Sequence, residues 1–71
     1  MANQIKAPIT GSMWKIEVAV GAQVAPGDVL AIMESMKMEI PVETEVAGTV
    51  KAILIAEGQS ITEGAVLFEL E

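Results

Sequence analysis

The sequence predicts an all-β domain, a flattened barrel or sandwich of two four-stranded antiparallel sheets. Three observations carry that expectation. Glycine and proline recur every few residues and β-branched residues fill the gaps between them, which leaves no room for a long helical stripe. Short stretches alternate apolar with polar side chains, the pattern of half-buried strands. Finally, the chain overlays itself: shifted by 37 positions, Gly11–Glu34 falls on Gly48–Glu71 without a gap, and eight of those 24 pairs are identical. Gly11/Gly48, Gly21/Gly58 and Gly27/Gly64 are among them, so the corners repeat as well as the strands.

Each element follows from this pattern. A first short strand is expected over Ile5–Ala7. Trp14, Ile16, Val18 and Val20 alternate with Lys15, Glu17 and Ala19, which predicts a strand with the tryptophan on its apolar side. Its mate runs from Val50 to Ala56. Short strands over Gln23–Ala25 and Ser60–Thr62 form a second matched pair, and Val29–Glu34 with Val66–Glu71 a third. Met38–Val42 completes the set of eight. Glycine at matched corners supplies positive φ, and Pro26 presets the first corner of its turn.

One domain is expected over residues 1–71, with halves of about 5–34 and 42–71 joined by a link at 35–41. A pseudo-twofold axis should relate the halves. The equivalents of the link then fall just before residue 1 and just after residue 71, so link and termini belong at opposite ends of the barrel.

Composition removes several functions. There is no cysteine and no histidine, hence no disulfide, thiolate nucleophile, imidazole base or ordinary zinc site. The core must come from aliphatic packing, for which 52% hydrophobic residues suffice. Ten acids face four lysines, a net charge of −6, which argues against nucleic acid and against an anionic membrane surface. No apolar run approaches the roughly 18 residues of a membrane span, and the first residues lack the apolar stretch of a signal peptide, so a cytoplasmic protein is expected. Glu39, Glu43 and Glu45 match no calcium-loop spacing and read as a solvated face.

The link holds the one pattern that solubility does not explain. In Glu34-Ser35-Met36-Lys37-Met38-Glu39, a lysine at the repeat junction has methionine on both sides. A lysine at a hairpin tip is ordinary, and Lys6, Lys15 and Lys51 are taken as such. Exposed thioethers on both flanks are better explained as adaptable contact surface.

This segment resembles the biotin-attachment signature, usually Glu-Ala-Met-Lys-Met, with Ser35 in place of the commoner alanine. Repeat, glycine corners and length extend the resemblance over nearly the whole chain, which looks like a biotinyl/lipoyl attachment domain of the small free-standing kind. The resemblance implies a barrel-sandwich hybrid with Lys37 on a hairpin turn. It implies covalent biotin on Lys37, added by a biotin protein ligase, and carboxylate carried between a biotin carboxylase and a carboxyltransferase. Glu34, Ser35, Met36, Met38 and Glu39 become the candidate recognition residues. The loop over Pro8–Met13 should approach the lysine, and Trp14, closing it, either touches the cofactor or caps the core. The domain itself would be a monomeric carrier and no enzyme.

Two rival readings remain open. Lipoyl domains resemble this fold and carry the same lysine, usually with Asp before it and Ala or Val after, so lipoate is the alternative cofactor. An unmodified adapter module is the other, although an adapter has no need of the Met-Lys-Met turn. The gapless repeat leaves no room for the thumb insertion of many acetyl-CoA carboxylase carriers and leans towards thumbless ones.

Overall fold

The computed structural model describes residues 3–71; Met1 and Ala2, inside the expected domain, lie outside them. Eight strands are formed among the described residues: β1 (Asn3–Lys6), β2 (Gly11–Ile16), β3 (Gln23–Val24), β4 (Val29–Ser35), β5 (Met38–Glu43), β6 (Gly48–Ile53), β7 (Ser60–Ile61) and β8 (Val66–Leu70). They make two antiparallel sheets of four, ordered β1-β8-β6-β3 and β5-β4-β2-β7. The molecule is elongated, 33 × 19 × 18 Å.

The 37-residue shift maps one sheet onto the other, strand for strand. Gln4 stands opposite Glu69, and Pro41 opposite Ile32. Gln23 stands opposite Thr49, and Ser60 opposite Ser12. Connections match too: Gly58 N–H donates to the Met13 carbonyl, and Gly21 N–H to the Val50 carbonyl. Gly27 N–H donates to Thr44 and Gly64 N–H to Ala7. Gly21, Gly27, Gly58 and Gly64 all have φ near +90°, where a side chain would be strained. The two halves make the same turns for the same reason.

The core lies between the sheets and is aliphatic apart from Phe68. Met13, Leu30, Met33, Leu67, Phe68 and Leu70 are fully buried. Thr44 is the one buried polar residue among those described, and its hydroxyl donates to the Val46 carbonyl at 2.7 Å. No described buried side-chain nitrogen or oxygen lacks a partner. No described helix is long and apolar enough to cross a membrane.

One expected element is corrected. The strand read over Trp14–Val20 runs instead over Gly11–Ile16, and its mate over Gly48–Ile53 instead of reaching Ala56. Trp14 does not cap the core: it is 49% exposed, while Met13 takes the buried place. The cause is a register shift in the pairing of β2 with β4, between Met13 and Lys15. The bulge adds a residue and moves the alternation by one. The equivalent shift occurs between Val50 and Ala52, with Lys51 as the mate of Trp14.

Candidate functional site: a lysine at the hairpin turn

The hairpin β4–β5 is built by alternation. The fully buried Met33 stands opposite the half-buried Ile40, and Glu34 opposite Glu39 on the solvent side. Ser35 and Met38 close the ladder, leaving Met36 and Lys37 as a two-residue turn. Their φ values are +51° and +65°. Positive φ at both central positions is the twist a tight hairpin needs, and Asn-Gly normally supplies it. Met-Lys does so against a steric cost of about 1–2 kcal/mol per residue. A turn kept with unfavourable residues suggests that their side chains matter more than its stability.

Both side chains point away from the protein. Met36 is 92% exposed and Met38 64%, so neither methionine folds back into the core. Lys37 is exposed as well. The amine therefore stands clear at the end of the hairpin, between two flexible thioethers.

The base of the tip is held from the side. The Ser35 hydroxyl donates to the Thr10 carbonyl at 3.0 Å. The Thr10 hydroxyl in turn accepts the Glu63 N–H at 2.9 Å. Gly11 makes the close approach workable: a Cβ there would strike the Glu34 carbonyl oxygen and sit 3.0 Å from Ser35 Cβ. The Pro8–Met13 segment thus does lie against the hairpin. Trp14 stands just past the Ser12–Glu34 pair, on the bulge of β2. Nothing in the sequence marked Thr10, because its contact with Ser35 spans 25 residues.

Glu34 and Glu39 are exposed and directly opposite one another, a like-charge cross-strand pair that opposes folding. Glu43 and Glu45 continue the acidic side along and beyond β5. Among the described residues no three acidic groups are disposed to hold a metal ion. A groove of about 600 Å³ runs between the edge strands β1 and β5, lined by Ile5, Pro8, Val42 and Val46 among others, and takes no residue from the turn.

A family model described as "Biotin-requiring enzyme" matches residues 3–70. The chain belongs to the biotin/lipoyl attachment family. It is 45% identical over 62 residues to a biotin/lipoyl attachment protein of Bacillus subtilis, covering 87% of this chain and 85% of that one. It is 44% identical over 64 residues to the biotinylated protein TB7.3 homolog of Mycobacterium leprae, covering 90% of each. Among solved structures, the urea carboxylase of Kluyveromyces lactis superposes with a TM-score of 0.94 at 32% identity. That match takes in all of this chain and 6% of the carboxylase. The two-sheet fold of family members is the fold described above.

Proposed function

We propose that the chain is a biotin carboxyl carrier, a single domain over residues 1–71 with Lys37 as its attachment residue. The observation that carries this is the Met36–Lys37 turn: an exposed primary amine held at positive φ between two registered strands. The residues fit the group. Attachment asks for a reachable amine on a rigid base, and this tip has both. The similar proteins named for biotin or for its attachment support the same cofactor.

The step at the protein is amide formation. Within a biotin protein ligase, the deprotonated Lys37 Nζ attacks the carbonyl carbon of an acyl-adenylate; the N–C bond forms, the bond from that carbon to the phosphate oxygen breaks, AMP leaves and the nitrogen gives up a proton. The lysine loses its charge. Biotin, once attached, supplies the group that carries carboxylate, and that chemistry belongs to the cofactor and its partner enzymes. This chain contributes a rigid mount that concentrates the arm at each active site. Glu34, Ser35, Met36, Met38 and Glu39 form the surface a ligase reads. A biotin carboxylase and a carboxyltransferase are the other proposed partners. In this reading the domain works in the cytoplasm, in keeping with a chain that has no long apolar run. The domain is read as a monomer, and a charge of −6 makes close approach of two copies less favourable.

A second cofactor has specific support. The Bacillus subtilis relative is named for both biotin and lipoyl attachment, so lipoate on the same Lys37 is the alternative. Co-expression with a biotin ligase, and separately with a lipoate ligase, followed by intact mass and peptide mapping, decides. One biotinyl adduct on Lys37, absent from a folded Lys37→Arg variant, is the expected result. An adduct on another lysine would overturn the assignment of Lys37, and an adduct from the lipoate ligase alone would replace the cofactor.

A further inference from the structure

The internal repeat provides a control that most surfaces lack. Each position on one sheet has a mate on the other, in the same register and at the same place in the fold. Outside the core the mates should differ freely, so a systematic difference points to selection on one face.

One row shows such a difference. On the outer side of the sheet carrying the hairpin, Lys15, Ile32 and Pro41 are in register, and Trp14 bulges beside Lys15. Their mates on the other sheet are Ala52, Glu69 and Gln4, with Lys51 on the bulge. Trp14, Ile32 and Pro41 thus correspond to Lys51, Glu69 and Gln4: three apolar residues against three polar ones. The fold does not require the apolar set, because its twin is built without it. Lys15 runs the other way against Ala52, and stands 3.7 Å from Glu17 in an exposed ion pair.

The apolar row lies about 7 Å, two residues of strand, from the Glu34–Glu39 pair that borders the tip. Glu43, opposite Val29, borders it on the far side. The patch is therefore apolar along Trp14, Ile32 and Pro41, with the ion-paired Lys15 beside them, and acidic at both margins, and it lies on the sheet that carries the Lys37 turn. An enzyme enclosing the lysine amine must cover one flank of the hairpin.

We propose that this outer face, Trp14–Ile32–Pro41 between Glu34–Glu39 and Glu43, is the docking surface for the enzyme that acylates Lys37. The proposal rests on the carrier reading. The occupant is a protein surface with an apolar patch and cationic margins. A second copy of this chain is a poor occupant, because twofold docking of the face would set the same carboxylates against each other.

The test uses the twin as its template. Trp14→Lys, Ile32→Glu and Pro41→Gln together install residues that the mated positions already accommodate. With purified biotin protein ligase, biotin and ATP, the triple variant should show KM raised about tenfold or more, as for loss of a hot spot, with kcat little changed. Lys51→Ala with Glu69→Ala on the other sheet should match wild type. Because Trp14 is the sole tryptophan, 5-fluorotryptophan gives a single fluorine resonance. In a Lys37→Arg chain that resonance should shift or broaden when ligase is added. Acylation of wild type with an unshifted resonance and an unchanged KM in the triple variant would overturn the face and leave the carrier reading standing. A shifted resonance without acylation of wild type would overturn the carrier reading and leave the face. A wild-type dimer that the triple variant abolishes would give the face to a second copy and overturn the proposal. Should the triple variant fail to fold, Trp14→Lys alone and the fluorine signal carry the same decision.

Discussion

The two sheets are one unit made twice, and they differ where they meet other molecules. Their mated strands share register, bulge and glycine turns. Beyond the Met33–Ile40 pair of the hairpin sheet, however, the chain continues through Met36 and Lys37, whereas the mated pair on the other sheet, Leu70 with Asn3, has no such link among the described residues. What both copies keep is what the fold needs. What only one copy has is a candidate for function, and four tests sharpen or break that division.

The largest expected effect is at Gly11 against its mate Gly48. A Cβ at Gly11 would strike the Glu34 carbonyl oxygen and lie 3.0 Å from Ser35 Cβ. At Gly48 the contacts are looser, 2.8 Å to the Glu71 carbonyl oxygen and 3.4 Å to Leu70 Cβ. Gly11→Ala should cost about 2–3 kcal/mol and Gly48→Ala nearer 1, within the range for forced overpacking. Urea unfolding of the two variants checks this. Equal costs would show that the tip contact is no tighter than its twin.

Next comes the turn. Met36→Asn with Lys37→Gly replaces two strained residues by the pair that type I′ turns prefer. The variant should be about 1–2 kcal/mol more stable and incapable of attachment. Lower stability would mean that the native residues are favoured by contacts and the turn is not held under strain.

How much of this could be read from the chain follows from where the information sits. The repeat lies along the sequence, so the two sheets and the position of Lys37 at a junction were legible. So were the glycine corners, since positive φ has a residue signature there. The same conformation at Met36 and Lys37 was not legible, because neither residue type favours it. Trp14 was misread because a bulge inserts one residue there, so the alternation that correctly sets Ile16 and Val18 against the core fails at the tryptophan. The bulge put Met13 inside and left the tryptophan out. The Ser35–Thr10 contact joins segments that only folding brings together.

Ser35→Ala tests that contact. It removes one exposed hydrogen bond, which should cost about 0.5–1 kcal/mol. The loss should be local: faster amide exchange at Glu63 and in the Pro8–Thr10 segment, with the rest of both sheets unchanged. Ligase recognition should persist, since alanine is the commoner residue of the signature this segment resembles. A collapse of acylation would make the hydroxyl part of recognition and not only a brace.

The smallest effect has the most telling sign. Glu34 and Glu39 repel across the hairpin, whereas the mate of Glu34 is Glu71, whose backbone bonds Thr49 in both directions. Removing one charge should stabilise the fold, so Glu39→Gln should gain a few tenths of a kcal/mol. The gain should shrink as salt rises, because exposed charges are screened. The same substitution should weaken acylation, with KM rising most at low salt, because a cationic ligase surface loses its counterpart. Stability and recognition then move in opposite directions from one atom-for-atom change, which a merely structural pair cannot produce. If Glu39→Gln leaves KM unchanged at every salt concentration, the acidic margin is a solvated edge. Recognition would then rest on the turn and on the apolar row beneath it.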